Sequence, residues 1–95
     1  MIIIREKFVA KPGMAGKLSK IMLAVQKEAP AGTVRVMTDL TGSFHTVVIE
    51  TEVASLADFE KRMQEYGANK KLHEIMAGYS ELYLTGSREI YQVLG

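Results

Sequence analysis

The apolar residues of this chain switch between two spacings, and the order of the switches limits the fold more than any other feature. Ile2 to Ala10 is rich in β-branched residues, carries Phe8, and runs into Pro12-Gly13, so it reads as a strand closed by a turn. From Met14 to Ala29 the spacing lengthens. Met14, Leu18, Ile21, Met22 and Val25 form a helical stripe with Lys17, Lys20 and Lys27 on other faces, and Pro30 and Gly32 end it. Thr33 to Thr41 and Phe44 to Val53 return to the β spacing. Gly42-Ser43 between them reads as a two-residue type II′ hairpin loop, with glycine first. Ser55, with Asp58 three residues on, is a helix N-cap ahead of Leu56, Phe59, Met63 and Tyr66. Gly67 interrupts, and Leu72, Ile75, Met76 and Tyr79 carry the helical pattern on to about Gly78. Glu81 to Thr85 and Glu89 to Leu94 read as strand, split near Gly86-Ser87. The order is β-α-β-β-α-β. With right-handed crossovers it predicts an α+β, ferredoxin-like fold: a four-stranded antiparallel sheet with two helices on one face.

Ninety-five residues with 47% hydrophobic content suffice for one core, so residues 1–95 are expected to form a single domain. Twelve Lys and Arg against eleven Asp and Glu leave a formal charge of +1, which gives no field suited to phosphate backbones, and no nucleic-acid partner is expected. The absence of cysteine excludes disulfides, thiolate metal sites and a cysteine nucleophile. Met1 to Ile4 is too short an apolar run for a signal peptide, and no stretch reaches transmembrane length. The expectation is a cytoplasmic protein without a membrane partner.

Lys11 to Lys20, KPGMAGKLSK, has the composition of a phosphate loop but not its spacing. Only two residues separate Gly13 from Gly16, and Leu18 stands where the metal-binding hydroxyl would be. The stretch reads as a turn opening a helix.

The hairpin sorts side chains between faces. Pairing across Gly42-Ser43 puts Leu40 with His45, Thr38 with Val47, Val36 with Ile49 and Val34 with Thr51 on one face, mostly apolar and suited to lie under the helices. Thr41 with Phe44, Asp39 with Thr46, Met37 with Val48 and Arg35 with Glu50 take the other. That face mixes apolar side chains with a cross-strand pair of opposite charge, and two helices cover only one face of a sheet. The expected cover is a second copy about a two-fold axis. The apolar C-terminal strand agrees, since Ile90, Tyr91 and Val93 on a free edge would invite aggregation. The expected interface is Met37, Phe44, Val48, Arg35, Glu50, Ile90, Tyr91 and Val93 of a homodimer, with assembly of such dimers into higher oligomers left open.

A first strand ending in FVAKPG, then a helix, a hairpin, a capped helix and a terminal GSREIYQVL resembles the dimeric α+β barrel superfamily, and within it the NIPSNAP-like branch. The resemblance spans nearly the whole chain. NIPSNAP-like proteins often carry an arginine two residues before the first-strand aromatic; here Glu6 stands there, and Arg5 is one step earlier on the opposite face. The superfamily includes antibiotic-biosynthesis-type monooxygenases, haem-degrading monooxygenases, muconolactone-isomerase-like enzymes and ligand-sensing domains, so fold does not decide function. The resemblance implies a pocket between sheet and helices. His73 is at a place where the haem-degrading branch carries a histidine. This chain lacks that branch's first-strand asparagine and its tryptophan, and haem degradation of that type is not expected.

His45 is the expected polar group of the pocket. On the helix-facing side of the third strand its imidazole could serve as a general base near neutral pH. His73, Tyr66, Tyr79 and Tyr83 are the other candidate pocket residues, suited to a small hydrophobic or aromatic ligand. Two histidines without a carboxylate at matching spacing do not make a metal site, and no cofactor is expected. The expected function is a cofactor-independent monooxygenase or isomerase of a small hydrophobic substrate. The alternative is a non-catalytic ligand-binding or interaction module whose cleft is plugged by Met22, Phe59 and Met63. An open cleft reached by His45 would favour the enzyme, and a filled cleft the module.

Overall fold

Proline cannot donate to a ladder, and Gly13 takes a φ of 81° that other residues avoid, so the first strand stops and the chain reverses there. Met14 N–H then donates to the Lys11 carbonyl at 2.9 Å, and the first helix begins one residue later. In the computed structural model, which describes residues Met1–Gly95, the elements are β1 (Ile2–Ala10), α1 (Ala15–Lys27), β2 (Val34–Thr38), β3 (Thr46–Val53), α2 (Leu56–Ala68), α3 (Lys70–Ile75), a 3₁₀ turn (Tyr79–Glu81) and β4 (Tyr83–Gln92).

The four strands lie in the order β2-β3-β1-β4, every neighbouring pair antiparallel, and this is the ferredoxin-like sheet that the element order predicts. The helices cover one face. Strand alternation sends Ile2, Ile4, Phe8 and Ala10 of β1 and Val47 and Val53 of β3 to that side, where α1 adds Leu18 and Met22. Leu18 and Val47 are fully buried, and Leu82 closes the core from below β4. The molecule measures 36 × 34 × 21 Å. The short dimension fits one sheet with one helix layer on it, and no helix lies over the second sheet face.

The hairpin register is the predicted one from Val34↔Thr51 to Thr38↔Val47, but its loop is longer than two residues. Asp39 ends the ladder. Its Oδ1 accepts from Thr46 N–H at 2.8 Å, the Thr46 hydroxyl donates to the Ser43 carbonyl at 2.8 Å, and His45 takes a φ of 64°. A short acidic side chain has captured a backbone donor, as Asp does at turns. The expected pairs Leu40–His45 and Thr41–Phe44 therefore do not form; Leu40 is 98% and Phe44 82% exposed at the loop tip.

Two other breaks move. The predicted interruption at Gly67 falls instead at Asn69, whose extended backbone separates α2 from α3 and whose Oδ1 caps α3 by accepting from Leu72 N–H at 3.1 Å. β4 is continuous through Gly86-Ser87 instead of split there, and the register shift comes earlier, between Val9↔Thr85 and Ala10↔Tyr83. Gly86 is where β4 lies against the Phe8 ring: a Cβ there would come within 3.1 Å of Phe8 Cδ1. The glycine makes room for an aromatic without ending the strand.

Candidate functional site

Phe8 and Ala10 must face the helices to be buried, and a strand alternates, so Glu6 faces them too. Across β1 and β4 the partner of Glu6 is Arg88, and the guanidinium donates from Nη2 to Glu6 Oε1 at 3.2 Å. The Arg88 Cζ also sits 5.4 Å from the centre of the Phe59 ring on α2. This pair lines an open cleft of about 350 Å³ between the sheet and the three helices, within the range of small-molecule sites. Met22 and Val25 of α1, Ile49 of β3, Phe59 and Tyr66 of α2, and Tyr79 supply half of its twelve hydrophobic lining residues.

The α2 side of the cleft is not packed shut. The helix is well started, Ser55 Oγ accepting from Asp58 N–H at 3.2 Å, but none of its residues is fully buried. Phe59 and Met63 line the space without filling it, and Met63 remains 40% exposed. Burial is the main cause that pushes the Tyr66 phenol above the usual tyrosine value, with Tyr79 and the Glu6 carboxylate adding to it. Tyr79 is raised by burial first and then by Tyr83 and Glu6, while Arg88 pulls the other way. Both phenols stay protonated at neutral pH and can donate hydrogen bonds. At the mouth, Lys71 Nζ of α3 meets Glu28 Oε1, just past α1, at 2.8 Å.

His45 does not reach this cleft. It lies outside β3 in the hairpin loop, exposed, with its carbonyl accepting from Ala10 N–H at 2.8 Å. His73 is also outside, on the exposed side of α3. Its Nε2 is 3.0 Å from the Gly67 carbonyl, and its ring lies 6.0 Å from that of Tyr66. Tyr66 and Tyr79 line the cleft, whereas Tyr83 packs on Phe8 at 4.9 Å and supports the wall from behind. Glu6 and Arg88 are not among the residues that the sequence singles out for the pocket. Parity from Phe8 was enough to find Glu6, but Arg88 needed the β1–β4 register, which the supposed break at Gly86-Ser87 hid.

The bare face carries a charge network. Arg5 reaches Glu50 at 2.7 Å, and Arg35 lies 3.9 Å from both Glu50 and Glu52. The hydrogen bond that Arg5 donates to the Glu50 carboxylate holds its guanidinium charged more firmly than usual. Arg5 also lies over the Tyr91 ring at 5.4 Å, and the Tyr91 hydroxyl donates to Glu89. Met37 and Val48 sit on this face, opposite each other in register. Phe44 is beside it in the loop. Val93 follows β4, its N–H donating to the Met1 carbonyl at 3.0 Å, while Ile90, opposite Ile4, falls on the helix side at the sheet edge.

No protein-family model matches the sequence, and no curated relative matches it. Solved structures do match. A NIPSNAP domain protein from Burkholderia xenovorans superposes with a TM-score of 0.81 at 10% identity, covering 98% of this chain and 94% of that one. The fold is that of the NIPSNAP proteins. A NIPSNAP family protein of unknown function from Agrobacterium tumefaciens gives a TM-score of 0.82 at 17% identity over 96% of this chain and 86% of its own. A proposed antibiotic biosynthesis monooxygenase from Deinococcus radiodurans gives 0.75 at 13% identity, over 98% and 92%. At these identities the NIPSNAP fold is shared, while activity is not carried across. No helix is long and apolar enough to cross a membrane.

Proposed function

We propose that this chain is a NIPSNAP-like protein that binds a small, largely apolar molecule in the cleft between its sheet and helices. The open cleft of about 350 Å³, whose lining is more apolar than polar and holds the Glu6–Arg88 pair, carries this reading. Its volume and mainly hydrophobic lining match those of small-molecule sites. Native mass spectrometry of freshly purified protein, with NMR titration of naphthalene-sized probes, tests it. A probe should perturb Phe59 and Tyr79 in the wild type and bind far more weakly to a Val25→Trp variant, whose indole fills the cleft. Equal binding to both proteins would place the ligand elsewhere and end the reading.

A second reading, a cofactor-independent oxygenase or isomerase of a small hydrophobic substrate, is favoured by one observation. The Glu6 carboxylate reaches the cleft and could accept a proton there. In that case Glu6→Gln abolishes turnover while His45→Ala leaves it unchanged. We also propose that the bare sheet face is covered by a second copy of the chain. Only 10 of 95 residues are buried in the isolated chain, and the uncovered face mixes Met37 and Val48 with charges of both signs, as a self-complementary contact requires.

A further inference from the structure

The charges around the cleft say what kind of polar end a ligand carries. Glu6, Glu28 and Glu65 line it, and so do Arg62 and Arg88; Lys71 joins them through Glu28, so that three carboxylates face three cations. Balance alone favours neither sign. The arrangement at the polar patch is more selective. Arg88 uses Nη2 on Glu6, and a guanidinium has five N–H donors, so donors remain beside the Glu6 oxygens. The side chains of both are partly open, 44% for Arg88 and 31% for Glu6, and both belong to the cleft lining. Because Arg88 Nη2 and Glu6 Oε1 are 3.2 Å apart, a carboxylate that pairs with Arg88 at this patch also comes close to Glu6, and an ammonium that pairs with Glu6 comes close to Arg88. Either would be carried into an apolar site against a like charge. A neutral group with a donor beside an acceptor satisfies both partners at once and leaves their ion pair in place.

We propose that the cleft selects a neutral, flat, largely apolar molecule whose polar end carries a hydrogen-bond donor beside an acceptor, as a primary amide does, over the matching anion or cation. The selection rests on the cleft being a small-molecule site. The apolar body lies among Phe59, Tyr66, Tyr79 and Met22, and the polar end meets Glu6 and Arg88.

The test uses four probes on the full chain at pH 7: 2-naphthamide, 2-naphthoate, 2-naphthylmethylammonium and naphthalene, with affinities from NMR titration. The amide should bind about tenfold more tightly than either charged probe, the scale set by a like charge at a partly open site. Glu6→Gln should tighten 2-naphthoate about tenfold by removing that like charge. Arg88→Gln should bring the amide down to the level of naphthalene, and circular dichroism establishes that each variant is folded. Selectivity in the wild type decides without the variants. If 2-naphthoate or the ammonium binds as tightly as the amide, the inference is wrong while the cleft remains a binding site. If none of the four binds, the small-ligand reading fails with it.

Discussion

Tyr66 and Tyr79 show what an open but apolar cleft does to a single side chain. Each phenol loses water on one side, and each has the Glu6 carboxylate near, so each favours its neutral form. The consequence for stability has a definite sign. A raised pKa means that the folded chain holds the phenol proton more tightly than the unfolded chain does, so nothing is lost below the ordinary value of 10.0. As pH climbs from there through the raised values, folding must bear two phenolates in a poor environment, and stability falls. Phenolate absorbance should therefore develop above pH 10.0, late for these two residues. A Tyr66→Phe, Tyr79→Phe double variant should lose less stability between neutral and strongly alkaline pH than the wild type. Parallel stability curves for the two proteins would show that these phenols do not feel the cleft.

Of the two long helices, α2 is the one whose position is less determined by packing. α1 buries Leu18 and Met22, β1 buries four side chains, and α2 buries none completely. Its start therefore depends heavily on the Ser55 hydroxyl, and losing an N-cap costs about 1 kcal/mol. Ser55→Ala should lower stability by that amount and speed hydrogen exchange in α2 selectively, leaving β1 and β3 protected. Uniform acceleration across the chain would mean that α2 is bound into the core more tightly than its burial indicates. The contrast between elements also explains what could be read beforehand. Strand β1, helix α1, the Ser55 cap and the β2–β3 register follow from local periods and capping chemistry, which act within a few residues. The hairpin loop does not, because Asp39 captures Thr46 N–H and turns His45 out of the strand. The cleft does not either, since Glu6 and Arg88 meet only through a pairing of β1 with β4 that joins the two ends of the chain. Short-range pattern placed the walls; long-range register placed the polar pair between them.

At the scale of the whole molecule the question is what covers the bare face of the sheet. Arg5, Arg35, Glu50 and Glu52 form a chain of opposite charges there, and Glu50 is only 12% exposed although no helix lies over it. Around this chain stand Met37, Val48 and Tyr91. A two-fold axis through such a face can set each positive group of one copy against a negative group of the other, and the apolar side chains against each other. Water would otherwise remain on Met37 and Val48. On this proposal, sedimentation at micromolar concentration should give about 21 kDa, twice the 10.5 kDa of one chain. Val48→Lys puts a second ammonium beside Lys7, its cross-strand partner, at the centre of the contact and should yield a monomer. Because Val48 points away from the core, that monomer should keep the wild-type circular dichroism. A wild-type monomer would end the proposal. A Val48→Lys dimer would move the interface to another surface, for which the exposed Leu40 and Phe44 of the hairpin tip are the next to mutate.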